Sequence, residues 1–156
     1  MSALNSIEID RILRRFLPKQ ILYGGAKALN HVPLTIRAVP FLIIVNTSKS
    51  HITEGHWVVL YIRQDRKSFF FCSYGTGIFG RIKQLADNYS NKIYFNRFVI
   101  QMPSSETCGY HAIHVGLELS KKIKFGVIMS RYSNNLKEND IKAVKYVNML
   151  RKRATA

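Results

Sequence analysis

The chain has 156 residues, 47% of them hydrophobic, which fits one compact domain over 1–156 that needs no disulfide or metal to fold. Its longest apolar run, at 38–45, is too short for a membrane span, and charged residues occupy the early positions where a secretory signal would be apolar. We therefore expect neither a membrane protein nor a secreted one. The formal net charge of +15 favours an acidic partner such as nucleic acid.

Hydrophobic periodicity and turn residues predict the order of the secondary-structure elements. A helix at 7–17 is followed by a loop-rich segment at 20–37 that contains Gly24-Gly25. Strands follow at 41–46, 57–63 and 67–74, then a helix at 81–90, a strand at 93–101, and helices at 108–121 and 136–152. This order predicts an α+β fold with a small central sheet.

The last predicted helix, about 136–152, carries much of the positive charge. Asn135 and Glu138 form a helix-start signal, and an apolar stripe is predicted at Ile141, Val144, Val147 and Leu150. Basic residues lie off that stripe or close the helix: Lys142, Lys145, Arg151, Lys152 and Arg153. We expect these five residues to contact DNA phosphates; a solvated helix face is the alternative.

Cys108 is the candidate nucleophile, because it stands at the start of a predicted helix directly after a polar loop. The positive end of the helix dipole is expected to lower the pKa of a thiol placed there. His56 begins a strand and is the candidate base, and Gln101 ends a strand seven residues before Cys108, where its amide could donate to an oxyanion. Only two cysteines are present, Cys72 and Cys108, and we expect a reducing, intracellular setting.

A metal site is a weaker interpretation of the same helix. Cys108, His111 and His114 follow an i, i+3, i+6 spacing, but a fourth ligand of suitable spacing is missing. We therefore expect no metal.

Four segments together carry a resemblance to a known family. They are Ile44-Val45-Asn46-Thr47, Gly55-His56-Trp57, Phe71-Cys72-Ser73-Tyr74-Gly75, and the run from Gln101 to Gly109. In this order, and with the Gln-x-Pro-x-Ser-x-x-Cys-Gly pattern in the last of them, the chain resembles the adenovirus protease (adenain) family over about residues 7–120.

The resemblance implies a cysteine endopeptidase with a papain-like site in rearranged chain order, on a small mixed sheet packed between helices. By position, Cys108 would be the nucleophile, His56 the base, and Gln101 an oxyanion-hole donor beside the backbone N–H of Cys108. It further implies cleavage of viral precursor proteins, stimulation by DNA, and action in the host nucleus and virion. No cofactor other than DNA as an activator is expected.

Cys72 is a departure from the family pattern, because the family has Asp or Glu at this position. The enzyme could work as a Cys108–His56 dyad with Cys72 beside it, or Asp65 or Glu54 could substitute for the acid. A weakened or altered relative is the third alternative. In each case a Cys72–Cys108 disulfide could switch activity off.

A second departure concerns activation. The peptide cofactor of adenain joins a separate cysteine by a disulfide, whereas both cysteines here fall at site positions, so only a noncovalent peptide activator is compatible with the sequence. Two other functions compete with viral endopeptidase: an isopeptidase acting on ubiquitin-like modifiers, and a DNA-binding structural protein on a decayed protease scaffold.

Overall fold

The structure, a computed structural model, describes residues 3–48 and 55–155. Its centre is a five-stranded mixed sheet in the order β1-β2-β3-β4-β5, which matches the chain order. The strands are β1 Leu22–Ala28, β2 Phe41–Asn46, β3 Trp57–Ile62, β4 Lys67–Phe71 and β5 Lys92–Phe95. The two inner pairs are antiparallel, and the outer pairs, β1 with β2 and β4 with β5, are parallel.

Helices enclose this sheet, and the predicted α+β class is confirmed. They are α1 Ser6–Phe16, α2 Gly80–Tyr89, α3 Cys108–Ser120, α4 Phe125–Ser130 and α5 Leu136–Thr155, with a short 3₁₀ turn at Leu29–His31. Among the described residues, no helix combines the length and the apolar character that crossing a membrane requires.

Strand β2 shows how the sheet forms two cores. Because successive side chains of a strand point to opposite faces, Leu42 and Ile44 join one core while Phe41, Ile43 and Val45 join the other. The first core receives apolar residues of α1, α3 and α5, and the second receives those of α2. The sheet is therefore packed between helices, as predicted.

Strand β1 was not predicted, because Gly24-Gly25 made residues 20–37 look like a loop. The strand contains a register shift between Tyr23 and Ala26, and Gly25 has a positive φ of 90°. Asp10 of α1 accepts hydrogen bonds there from the Ala26 N–H at 2.9 Å and the Tyr23 hydroxyl at 2.7 Å. The glycine pair is thus a bulge inside a strand, stabilised by a carboxylate from a neighbouring helix.

Two further expectations are corrected in the second half of the chain. Strand β5 ends at Phe95 rather than at Gln101, and Phe98 and Val99 are exposed beyond it. Helix α4 was missed, because its six residues are too few to show a period.

The apolar stripe predicted for α5 coincides with the buried face at Val147 and Leu150, and Val144 packs against the core, but the stripe is wrong at Ile141. Its start is as predicted, because Asn135 Oδ1 accepts from the Glu138 N–H at 3.1 Å. The buried residues, however, are Asn139, Asp140, Ala143, Val147 and Leu150, whereas Ile141 is exposed. The polar side chains of Asn139 and Asp140 are therefore buried, because they form hydrogen bonds with groups in the interior.

Candidate active site

Cys108 begins α3 and lies against the start of β3. The backbone N–H of Trp57 donates to Sγ of Cys108 at 3.4 Å, so the residue that follows His56 touches the thiol. Gly109 keeps this contact close, since an added Cβ there would lie 3.4 Å from Cδ1 of Trp57. The fold thus brings Cys108 and the His56-Trp57 segment to one end of the sheet, although Trp57 and Cys108 are 51 residues apart in the sequence.

The Cys108 thiol differs from the sequence expectation in its electrostatics. Burial raises its pKa, and the opposing hydrogen bonds from the backbone N–H groups of Trp57 and Gly109 do not cancel that effect. Cys108 is therefore a protonated thiol in the resting structure, although it stands at a helix N-terminus. The expectation of a lowered thiol pKa is wrong, because desolvation outweighs the hydrogen bonds that favour the thiolate.

The His56 imidazole is half-buried and stacked on the ring of Tyr74, with the ring centroids 4.5 Å apart. Its Nε2 lies 3.3 Å from Sγ of Cys72 and 3.4 Å from Oγ of Ser73. Burial, with a smaller contribution from the charge of His111, lowers the pKa of His56 to about 4. The imidazole is therefore neutral near pH 7.

Cys72 occupies the place where the sequence resemblance expects an acid. The side-chain amide of Asn96 pairs with its backbone: Oδ1 accepts from the Cys72 N–H at 3.1 Å, and Nδ2 donates to the Cys72 carbonyl at 2.7 Å. The Thr76 hydroxyl donates to Sγ of Cys72 at 3.0 Å. Both Cys72 and Cys108 are free thiols.

A tight turn places Cys72 and Ser73 beside the imidazole. The Gly75 N–H donates to the Cys72 carbonyl at 2.8 Å, and Gly75 has a positive φ of 73°. An added Cβ at Gly75 would lie 2.7 Å from the carbonyl oxygen of Phe98, which leaves room for glycine alone. This explains why glycine closes the segment Phe71 to Gly75.

The Gln101 amide is buried and fixed at both ends. Its Oε1 accepts from the Ser73 hydroxyl at 2.5 Å, and its Nε2 donates to the Ser105 carbonyl at 2.8 Å. An amide nitrogen carries two hydrogens, so one is left after the bond to Ser105. Ser73 therefore contacts both His56 and Gln101, and sequence reasoning missed it, although it follows Cys72 in the motif.

Asp140 of α5 ties the loop before Cys108 to α3. Its Oδ1 accepts from Nε2 of His111 at 2.8 Å and from the Thr107 hydroxyl at 2.9 Å, and its Oδ2 accepts from the Met102 N–H at 3.3 Å. Burial raises the pKa of Asp140, but these hydrogen bonds outweigh burial and hold the pKa below its usual range. The cluster was missed, although the 3-4-3 spacing of Asp140, Ala143, Val147 and Leu150 was a visible signal.

Of the two alternative acids, Asp65 does not reach the imidazole of His56. Asp65 lies in the turn that joins the far ends of β3 and β4, about 20 Å along the strand from His56, where it binds Arg63 at 2.7 Å. Asp65 as a substitute acid is therefore wrong. Glu54 lies outside the described residues.

The other histidines of α3 have partners of their own. Nε2 of His111 contacts Asp140, and Nδ1 of His114 lies 3.3 Å from the Tyr132 hydroxyl. Among the residues the structure describes, no three His, Cys, Asp or Glu side chains form a group suited to a metal ion.

The basic residues predicted to contact DNA are mostly exposed on α5. Lys142, Lys145, Lys152 and Arg153 are exposed, whereas Arg151 is half-buried and binds Oε2 of Glu8 at 2.5 Å. Arg151 is thus partly neutralised by α1.

Comparison with solved structures shows the class of fold. The African swine fever virus (ASFV) protease pS273R aligns with a TM-score of 0.65 at 14% identity, over 91% of this chain and 67% of that one. The SUMO protease Ulp1 aligns with a TM-score of 0.59 at 11% identity, over 99% of this chain and 80% of that one. ChlaDub1 from Chlamydia trachomatis aligns with a TM-score of 0.56 at 14% identity, over 96% and 77%.

The chain thus has the papain-like fold of cysteine proteases, in its SUMO-protease-like form. No family model matches the sequence, and neither does any curated protein. The resemblance to the adenovirus protease rests on the sequence motifs.

Proposed function

We propose that the protein is a cysteine endopeptidase that cleaves viral precursor proteins. The observation that supports this best is the convergence of Cys108, His56 and Gln101 at one end of the sheet of a cysteine protease fold. A nucleophile, a base and an oxyanion donor are the groups that amide hydrolysis by a thiol requires. One of the structural neighbours is a viral protease, which is consistent with a viral role.

The proposed reaction begins with a neutral pair. Nδ1 of His56, the ring nitrogen not engaged with Cys72, takes the proton of the Cys108 thiol as Sγ attacks the scissile carbonyl carbon. The Gln101 amide and the backbone N–H of Cys108 stabilise the oxyanion. The C–N bond then breaks as the imidazolium gives its proton to the leaving amine, and water hydrolyses the thioester to release the acid and the thiol.

We further propose that DNA stimulates this activity. The net charge of +15 and the exposed basic residues of α5 support a polyanion partner. From the resemblance to the adenovirus protease family we also propose action in the host nucleus and virion, a reducing setting in which both thiols stay free. A noncovalent peptide activator is compatible with this proposal, because neither cysteine is available for a covalent one.

The first prediction concerns peptide cleavage. We expect the purified protein to cut a peptide with a glycine-containing site and to do so faster when duplex DNA is added, whereas Cys108→Ala has no activity. The measurement is the rate of fluorescence release from a quenched peptide, with and without DNA. No cleavage under either condition contradicts the endopeptidase proposal.

An isopeptidase is the second candidate, because the structural neighbours include the SUMO protease Ulp1 and an effector solved bound to ubiquitin. A ubiquitin-like probe with a C-terminal electrophile distinguishes the two functions. Labelling of Cys108 by this probe, without cleavage of the peptide, favours the isopeptidase. DNA binding with neither reaction favours a structural protein on a decayed protease scaffold.

The second prediction concerns the basic end of α5. Replacing Arg151, Lys152 and Arg153 by alanine is expected to lower the slope of log Kd against log salt by about 2, because each phosphate contact contributes about 0.9 and Arg151 is already paired with Glu8. The slope is measured by fluorescence anisotropy with labelled duplex DNA. The matched control replaces three exposed basic residues elsewhere, Lys27, Arg37 and Lys92, and an equal change in both variants contradicts this placement.

A further inference from the structure

The hydroxyl of Ser73 has one hydrogen, and the structure shows where it goes. Oγ of Ser73 lies 2.5 Å from Oε1 of Gln101, which is an acceptor without hydrogens. The same oxygen lies 3.4 Å from Nε2 of His56, and toward this nitrogen it can therefore only accept a hydrogen bond. Hydrogen-bond accounting thus places the imidazole hydrogen on Nε2.

Cys72 adds little to this control of the tautomer. Its sulfur accepts from the Thr76 hydroxyl at 3.0 Å and lies 3.3 Å from Nε2 of His56, but its own S–H is able to donate to that nitrogen, so Cys72 alone does not fix the tautomer. Sulfur of a thiol is a weak acceptor, whereas a hydroxyl oxygen is an ordinary one. Ser73 is the stronger of the two acceptors by chemistry.

The backbone of Ser73 holds the hydroxyl in place. The Ser73 carbonyl accepts from the N–H groups of Ile100 at 2.8 Å and Gln101 at 3.1 Å, and the residue is fully buried. Both the main chain and the side chain of Ser73 therefore bind Gln101. A group fixed in this way has little freedom to adopt another rotamer.

We propose that Ser73 is a positioning residue that orients the base His56 and the oxyanion donor Gln101 together, and so takes over part of the role of the missing acid. This inference rests on the proposed cysteine peptidase function. With Nε2 protonated, Nδ1 keeps its lone pair for the Cys108 thiol. With Oε1 of Gln101 bound to Ser73 and Nε2 donating to the Ser105 carbonyl, the amide is held in one orientation, with one Nε2 hydrogen left for the oxyanion.

The test compares Ser73→Ala with a matched control, Ser68→Ala. Both serines are fully buried and bond another polar side chain, but Ser68 binds Ser90 at 2.9 Å, outside the site. The first readout is the rate of Cys108 alkylation by iodoacetamide near pH 7, which depends on His56 and needs no oxyanion donor. We expect Ser73→Ala to slow alkylation about tenfold and Ser68→Ala to leave it unchanged.

The second readout is peptide cleavage in a double-mutant cycle with Gln101→Ala. Ser73→Ala is expected to lower kcat more than it lowers alkylation, with KM unchanged, because it also frees the amide. In the Gln101→Ala background this extra loss should vanish, leaving only the loss seen in alkylation. Additive losses overturn the link between Ser73 and Gln101.

A rescue experiment separates positioning from a merely structural role. A carboxylate at residue 72 accepts the Nε2 hydrogen strongly, so Cys72→Asp should restore alkylation in the Ser73→Ala background while the extra loss of kcat persists. A Ser73→Ala variant that alkylates like wild type, or that no carboxylate rescues, overturns the inference. Absence of peptide cleavage by the wild type would instead reject the proposed function, and the alkylation comparison would still decide the role of Ser73.

Discussion

Replacing His56 with alanine is expected to lower kcat/KM for peptide cleavage by about 10³-fold, because the Cys108 thiol then has no base to take its proton. The loss should be large because burial raises the pKa of that thiol, so little thiolate exists without help. The same variant should also be alkylated more slowly than the wild type at neutral pH. Both rates can be measured on one protein preparation.

The pH profile of the wild type follows from the same pair. Because burial lowers the pKa of His56 to about 4, the imidazole stays neutral and able to accept a proton well below pH 6.5. Activity should therefore persist into mildly acidic solution and fall only as pH drops through about 4. An acid limb near pH 6.5 would contradict a buried, neutral base.

His114→Ala is the matched control for this prediction. His114 is also a partly buried histidine of the same region, and burial lowers its pKa to about 4 as well. It contacts Tyr132 rather than the thiol, so its removal should leave the shape of the pH profile unchanged. A loss equal to that of His56→Ala would mean that general destabilisation explains both.

Replacing Asp140 with alanine is expected to reduce the free energy of unfolding by about 3 kcal/mol, which is the largest stability effect we expect from a single polar residue. The change leaves the buried Nε2 of His111 and the hydroxyl of Thr107 without their acceptor. It also releases the Met102 N–H, and with it the loop that leads from Gln101 to Cys108. Urea denaturation measures the loss, and kcat should fall as well.

Asp65→Ala is the control for the stability loss expected of Asp140→Ala. Asp65 is also an aspartate in a short ion pair, but its side chain is 47% exposed at a turn. Exposed pairs contribute little, so stability should remain close to that of the wild type. Equal losses in the two variants would show that Asp140 does not have the anchoring role its contacts indicate.

The sequence was most informative where the local pattern and the burial agree. Strands β2 and β3 were predicted almost to the residue, because dense β-branched and apolar runs such as 41–46 are buried on both faces of the sheet. Strand β1 does not show this agreement, because its glycine pair is locally typical of a turn. Only the carboxylate of Asp10, distant in sequence, makes the bulge favourable.

Helix α5 illustrates a second limit. Its apolar residues suggested a stripe through Ile141, yet the buried face begins with Asn139 and Asp140. A pattern that scores hydrophobicity cannot place a buried polar side chain, because its partners come from other elements. His111, Thr107 and Met102 supply them for Asp140, and the 3-4-3 spacing within α5 marks the buried face without identifying these partners.

The site was predicted from motifs, whereas its chemistry needed the packing. The motifs predicted Cys108, His56, Gln101 and Cys72 as site residues. The fold determines where they lie. The direction of the shift in the Cys108 pKa could not be predicted, because the sequence shows the position of a residue in a helix but not its degree of desolvation. Ser73 was overlooked for the same reason, since a serine attracts notice only when its neighbours are known.

The buried, protonated state of Cys108 has a consequence for oxidative damage. Peroxide attacks thiolate far faster than thiol, and the susceptibility of a cysteine follows its thiolate fraction and exposure. A buried thiol that stays neutral until a carbonyl carbon reaches it has a small thiolate fraction and little exposure. We therefore expect the same desolvation that leaves Cys108 dependent on His56 in the proposed mechanism to slow sulfenic acid formation at its sulfur.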